Sequence, residues 1–263
     1  MRTSLNFQLT GQRAVVTAGA QGIGLAITEA LLQQGAEVHL CDVDRAALDK
    51  TKAQYPQVHI SHTDVGNEAQ VLAMFSEIQA RWGQLDILVN NAGIAGPTAA
   101  IEDTVLQEWQ QTLDVNLTGA FLCTRSAVPL IKKAKGGSIV NISSAAGRHG
   151  FPLRSPYSAT KFGVIGLTQT WAMELGPSGI RVNAILPGIV EGPRQDRVLG
   201  AKAQAFGISL EAMRQRALER VSLRRMVTAQ DIAAQIVFIC SSAGANISGQ
   251  SLSVDGNVET LVQ

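Results

Sequence analysis

The chain has 263 residues, of which 46% are apolar, enough for a sizeable buried core within one α/β domain. Its 22 Lys and Arg nearly cancel its 21 Asp and Glu, leaving a formal net charge of +1, so no global field or basic stripe favours a polynucleotide partner. Cys41, Cys123 and Cys240 stand singly in apolar surroundings without CxxC or His-rich spacing, a pattern of buried free thiols that suggests neither disulfides nor a metal site.

The opening segment MRTSLNFQLTGQR carries neither an apolar signal core nor an Arg-rich amphipathic pattern, and no apolar run reaches the ~18 residues of a membrane span. A cytoplasmic protein with no membrane partner is expected. Short β-branched runs then alternate with longer helical patterns. RAVVTA (13–18), AEVHLC (36–41), QVHISH (57–62), LDILVN (85–90), GSIVNIS (137–143), IRVNAIL (180–186) and QSLSVD (250–255) read as strands. Segments 22–34, 67–81, 105–132, 156–176 and 229–241 between them carry apolar residues at helical spacing.

That alternation predicts a parallel sheet covered by helices on both faces, because a right-handed crossover is the economical link between parallel strands. The expected architecture is an α/β doubly wound, Rossmann-type fold with a seven-stranded parallel sheet, formed by residues 1–263 as a single domain. No linker, repeat or low-complexity run divides it. KKAKGG (132–137) reads as a helix terminus, cations in a last turn followed by glycine. The irregular stretch is a substrate-loop insertion at about 188–228, opening with PGIVEGPRQDR and continuing into the helical SLEAMRQRALERVSLRR; after the sixth strand it lies beside the carboxyl ends, where ligands bind in such sheets.

VVTAGAQGIG (15–24) follows the first strand and opens the first helix. Gly19, Gly22 and Gly24 permit a tight turn and a close approach of backbone to pyrophosphate, whose charge the helix N-terminus favours, although the spacing is not GxGxxG. Asp42, 18 residues past Gly24 at the end of the second strand, matches the acidic residue that hydrogen-bonds an adenosine ribose. No Lys or Arg occupies the turn, and Val43 follows Asp42 directly, so nothing would neutralise a 2′-phosphate. NAD is therefore expected over NADP, with Arg45 read as a solvated surface residue.

The glycine turn, NNAG (90–93), the serine pair 143–144, Tyr157-x-x-x-Lys161 and PG (187–188) occur in order at the expected separations. With them the chain resembles the short-chain dehydrogenases/reductases over essentially its whole length. The resemblance implies an NAD-dependent oxidoreductase interconverting a secondary alcohol and a ketone or aldehyde by hydride transfer. A phenol with a pKa of ~10 is a poor base at neutral pH, and Lys161, one helical turn from Tyr157, supplies the cation that favours its ionised form.

By the same resemblance Ser144 hydrogen-bonds the substrate oxygen while Ser143 points elsewhere, and the Asn116 amide holds a water in a relay to Lys161, which also binds the nicotinamide ribose. Gly19, Gln21, Gly22, Ile23 and Gly24 should line the pyrophosphate; Asp42 and Val43 the ribose; Asp64 and Val65 the adenine; Asn90, Ala92 and Gly93 the adenosine side; and Pro187, Gly188, Ile189 and Val190 the carboxamide, with Tyr157 and Lys161 closing the cofactor site. Two positions depart from the family. Ala18 stands where a glycine triplet usually begins, tolerable only if φ is not positive there, and Gly192 stands where a carboxamide-binding threonine is common.

Ala95, Ala146, His149, Arg154 and Arg194 are the candidate substrate contacts, a mixed set that suits a small polar alcohol, sugar, polyol or hydroxy acid better than a fatty or steroid substrate. Arg194 either pairs with Glu191 or Asp196 or reaches the cleft. The alternatives are a 3-oxoacyl-thioester reductase-like enzyme and a non-catalytic NAD-sensing scaffold; a sugar-nucleotide epimerase lacks room for its usual second domain after residue 187. The resemblance also implies a homotetramer with two-fold axes through the long helices 105–132 and 156–176.

Overall fold

The computed structural model describes residues 7–258; the ends of the expected 1–263 domain lie outside the described residues. Seven strands form one sheet: β1 Arg13–Thr17, β2 Glu37–Asp42, β3 His59–His62, β4 Ile87–Asn90, β5 Gly137–Ile142, β6 Ile180–Pro187 and β7 Ser251–Val254. Their order is β3-β2-β1-β4-β5-β6-β7, and every pairing is parallel. All seven expected strands are present. The register Val15↔His39 and Val15↔Leu88 puts β1 between β2 and β4, so the strand order reverses at β1/β4 and opens the crevice in which doubly wound sheets bind ligands.

Nine helices are described: α1 Gly22–Gln33, α2 Arg45–Gln54, α3 Glu68–Trp82, α4 Leu106–Leu113, α5 Gly119–Lys133, α6 Ser155–Leu175, α7 Pro193–Phe206, α8 Leu210–Leu218 and α9 Ala229–Cys240. One face of the sheet is sealed by Ile27 and Leu31 of α1, Leu48 of α2 and Ile232 and Ile236 of α9, the other by Met74 and Ile78 of α3 and Leu122 and Ile131 of α5. These side chains are 1% exposed or less except Leu122, and each buried aliphatic contributes about 1.5–3 kcal/mol. The three cysteines are buried and free. No cluster able to hold a metal, and no helix long and apolar enough to cross a membrane, occurs among the described residues.

Two expectations about helices need correction. The segment 105–132 is not a single α-helix: a π turn over Asp114–Thr118 separates α4 from α5, and such wide turns often mark functional positions. The stretch after Gly192 is not a loop leading to one helix. Gly192 adopts φ 132° and Pro193 opens α7 at its first turn, where a missing N–H costs nothing; α8 follows, and Leu199, Ala203 and Met213 give the pair a small core of their own.

Candidate active site

The glycine turn leaves β1 and is held from beneath. The Asn91 Nδ2 donates to the carbonyls of Thr17 and Ala18, both at 3.0 Å, and Thr17 Oγ1 accepts from the N–H groups of Asn91 and Ala92. Ala18 sits at φ 49°, so the condition attached to this departure fails: the position does take the left-handed backbone, and the Asn91 clamp holds it there against a strain of about 1–2 kcal/mol. At Gly24 a Cβ would lie 1.9 Å from the Ala18 carbonyl oxygen, so the turn and α1 touch backbone to backbone. The first turn of α1 carries no acidic residue and its N-cap, Gln21, makes no side-chain cap bond, leaving N–H groups for an anion.

Asp42 is 8% exposed; its carboxylate accepts from the N–H groups of Ala20 at 3.3 Å and Asp44 at 3.1 Å. Asp44 in turn caps α2 and accepts from Gln21 Nε2 at 2.7 Å. Arg45 pairs with Asp49 at 3.2 Å on the surface. Asp64 accepts from the Gly66 N–H, and Val65 packs against Gly119 at the start of α5. This arrangement suits a dinucleotide, with backbone donors for its pyrophosphate and a carboxylate acceptor for a ribose.

The Asn90 side chain, expected on the adenosine side, is turned into the protein interior. It is 5% exposed, and its Nδ2 donates to Thr124 Oγ1 at 2.9 Å and Asn141 Oδ1 at 2.8 Å, in a chain that ends on Thr168. It braces β4 against β5 and α5. Asn91, one residue on and missed in the sequence, faces the crevice; the doubled asparagine was the only signal.

Beyond β5 the two serines take different partners. Ser143 Oγ donates to the Lys161 carbonyl at 2.8 Å, while Ser144 caps a short 3-10 turn by accepting from the Ala146 N–H at 3.1 Å, with its hydroxyl turned to favour the Tyr157 phenolate. Lys161 is 3% exposed, its Nζ donating to the Ile142 carbonyl at 2.8 Å and lying 5.5 Å from the centre of the Tyr157 ring. Burial pushes the Tyr157 phenol up, but Lys161, Arg194, the Ser144 hydroxyl and Arg154 outweigh it and bring the phenol below its ordinary value. Burial lowers Lys161, partly opposed by Tyr157. The arrangement can hold a proton on a phenol readied to lose it.

Asn116 stands in the π turn. Its Nδ2 donates to the Ile94 carbonyl at 3.0 Å and Thr160 Oγ1 at 3.2 Å, and its Oδ1 accepts from the Ile94 N–H at 2.7 Å. The resemblance gave this amide to a water; here protein groups take both of its donor positions, and it fixes the Gly93–Ile94 backbone beside Lys161. A Cβ on Gly93 would lie 3.5 Å from Lys161 Nζ.

Pro187 ends β6, and the segment after it is tied down: Gly188 N–H donates to Val254, Val227 N–H to Ile189, and Glu191 N–H to Val227, around a bridge of Val190 to Val227. Gly192 at φ 132° has a backbone closed to threonine, so the second departure is a change of loop shape as well as of side chain. Arg194 pairs with neither Glu191 nor Asp196. Its Nη1 crosses to the Gly93 carbonyl at 2.9 Å, and Asp196 is held by Arg214 at 2.6 Å. Ala95, Arg154 and Arg194 line one cavity of about 360 Å³. Ala146 does not: it is fully buried, with its backbone bonded to Ser144 and Ser158. His149, half-buried on the following bend, is not among the residues lining this cavity either.

The family profile described as enoyl-(acyl carrier protein) reductase matches residues 17–258. A 3-oxoacyl-(acyl-carrier-protein) reductase of Thermotoga maritima is 34% identical over 255 residues, covering 95% of this chain and 99% of the relative. A trans-4-hydroxycyclohexanecarboxylate dehydrogenase of Sinomonas cyclohexanicum is 37% identical over 256 residues, covering 92% and 91%. Among solved structures, an NAD+-bound xylitol dehydrogenase superposes with a TM-score of 0.90 at 29% identity, covering 94% of this chain and 98% of that one. The fold and site define an oxidoreductase. The chain belongs to the short-chain dehydrogenase/reductase family.

Proposed function

We propose that the chain is an NAD-dependent dehydrogenase that interconverts a secondary alcohol and its ketone. The observation that carries this reading is the convergence of Ser144, Tyr157 and Lys161 at the carboxyl end of β5, with a phenol whose pKa is lowered although burial alone would raise it. Bound nicotinamide supplies the acceptor for the carbinol hydride. The chain's own residues manage the proton: Tyr157 takes it from the alcohol hydroxyl during oxidation and returns it during reduction, Ser144 orients the substrate oxygen, Lys161 keeps the phenol acidic, and Asn116 holds the adjoining loop. Tyr157→Phe should lower kcat/KM by about 10²–10⁴-fold while leaving NADH affinity near that of the parent; a variant with parental turnover would remove Tyr157 from the chemistry.

For the cofactor we propose the Gly19–Gly24 turn at the pyrophosphate, Asp42 at the ribose, Asp64 and Val65 near the adenine, and Gly93, Lys161 and 187–190 at the nicotinamide end. NAD over NADP is supported by the surroundings of Asp42: Asp44 is close, and Arg45 is engaged by Asp49. NAD-bound xylitol dehydrogenase, similar in structure, supports the same choice. We extend the proposal to a cytoplasmic homotetramer that packs through α5 and α6, on which Phe121, Phe162 and Met173 are 42%, 48% and 81% exposed. A monomer at micromolar concentration in size-exclusion chromatography would overturn the assembly.

A further inference from the structure

The cavity between the loop after β4 and helix α7 is lined on the α7 side by Arg194, Arg197, Val198 and Ala201, a single helical face, and on the other by Ala95 and Arg154. We infer that this cavity is a subsite for a substrate carboxylate, so that the alcohol taken by the enzyme is a short aliphatic hydroxy acid. This rests on the reading that Tyr157 handles the carbinol proton.

Charge is the first ground. None of the ion pairs among the described residues includes Arg154, Arg194 or Arg197. Arg154 is 2% exposed; burial lowers its pKa, Tyr157 opposes this, and Arg194 lowers it further. A buried guanidinium beside a second cation is costly unless an anion joins them. Lys202, also on α7, stands 4.2 Å from the Phe151 ring, and burial together with Arg154 and Arg216 brings its pKa to about 8. Cations thus act on one another at this corner of a protein whose net charge is only +1.

Geometry is the second. Arg154 donates to the Ala95 carbonyl and lies near Thr98 Oγ1, but its Nε is buried without a partner. Its guanidinium carbon lies 5.3 Å from the Tyr157 ring centre. The preceding residue, Leu153, takes φ 63°, a strained conformation of the kind that persists where the surroundings impose it. Arg194 spends one donor on Gly93, leaving most of its five for a ligand. None of the lining residues belongs to the glycine turn, so a nucleotide pyrophosphate on α1 would not neutralise them. Neutral polyols would leave the cations unmatched, whereas a carboxylate suits the planar fork of arginine, and Val198, Ala201 and Ala95 suit a short aliphatic stem.

The test is a matched series with NAD: 3-hydroxypentanoate, 4-hydroxypentanoate, their methyl esters and the corresponding sulfonates. The acids should exceed their esters in kcat/KM by at least about tenfold, and Arg194→Met with Arg197→Met, both surface positions, should collapse that ratio. Independently, butanoate but not butanamide should raise the melting temperature of the parent and not of the double variant. Esters turned over as well as acids, with no response to butanoate, would overturn the subsite and leave the dehydrogenase standing. Sulfonates turned over as well as the acids would overturn the carboxylate assignment. If no alcohol in a broad screen is oxidised while butanoate still stabilises the parent, the subsite stands and the catalytic reading falls.

Discussion

The two ends of the crevice are built on opposite principles. The end beside β1 and β2 is made of backbone and carboxylate: a turn whose carbonyls are clamped by Asn91, an uncapped helix N-terminus, and Asp42 beside Asp44. The end beside α7 is made of cationic side chains, Arg154, Arg194 and Arg197. On the proposed reading the first would recognise a ligand through the shape of the chain and the second through charge, and the two would fail differently. A backbone cradle fails when its shape changes by one methyl; a cationic pocket fails by degrees as charges are removed.

That difference also decided what could be read in advance. The seven strands and the glycine turn were legible because each depends on local pattern, short apolar β-branched runs closed by turn residues and buried on both faces of a parallel sheet. The proposed catalytic positions were legible through the ordered motifs that the chain shares with the family, which no single spacing would have carried. What escaped depends on tertiary contact. Whether Asn90 or Asn91 faces the crevice turns on where β4 ends, since successive side chains point to opposite faces. The π turn at Asn116 leaves no mark in hydrophobic periodicity. Burial of Arg154 at 2% exposure contradicts the usual fate of arginine and goes with its bonds to Ala95 and Thr98 and its place beside the Phe151 and Tyr157 rings. Helix α7 itself was hidden by Gly192 and Pro193, which read as a loop yet form the start of a helix.

The comparison is broken most severely at Gly24. A Cβ there would lie 1.9 Å from the Ala18 carbonyl oxygen and 2.6 Å from Asn91 Nδ2, both fixed groups, so Gly24→Ala must displace α1 from the turn. Overpacking of this kind costs about 1–3 kcal/mol, and NADH affinity, read by fluorescence titration, should fall by at least tenfold. Parental affinity would mean that the turn is more yielding than its contacts imply.

A smaller effect is expected at Asp42. The parent should prefer NAD to NADP by at least about tenfold, equivalent to ~1.4 kcal/mol, and Asp42→Ala should narrow that preference by admitting the 2′-phosphate. Equal efficiency of the parent with both cofactors would sink the assignment of Asp42. The cationic end makes its own prediction. Tyr157 titrates under Lys161, Arg194 and Arg154, which lower its pKa against the effect of burial. Oxidation needs the phenolate, so kcat/KM should rise with pH through a value below 10 and level off above it. Removing the Arg194 charge takes away a lowering influence, and Arg194→Met should move that limb to higher pH. An unmoved limb would separate Arg194 from the phenol.

The smallest effect is a gain. Ala18 holds φ 49°, a region that costs an L-residue about 1–2 kcal/mol and glycine nothing. Ala18→Gly relieves that strain but frees the unfolded chain, a cost of about 0.5–1 kcal/mol; the half-buried methyl contributes little in either state. The balance favours glycine by about 0.5 kcal/mol, which for a chain of 263 residues corresponds to a rise of roughly 1–2 °C in melting temperature. NADH binding should survive, because the contact Gly24 needs is with the Ala18 carbonyl and not with its methyl. A fall in melting temperature would mean that alanine relaxes out of the left-handed region in solution and that the Asn91 clamp is weaker than its two bonds of 3.0 Å suggest; the double variant with Asn91→Ala would then show the same loss as Asn91→Ala alone.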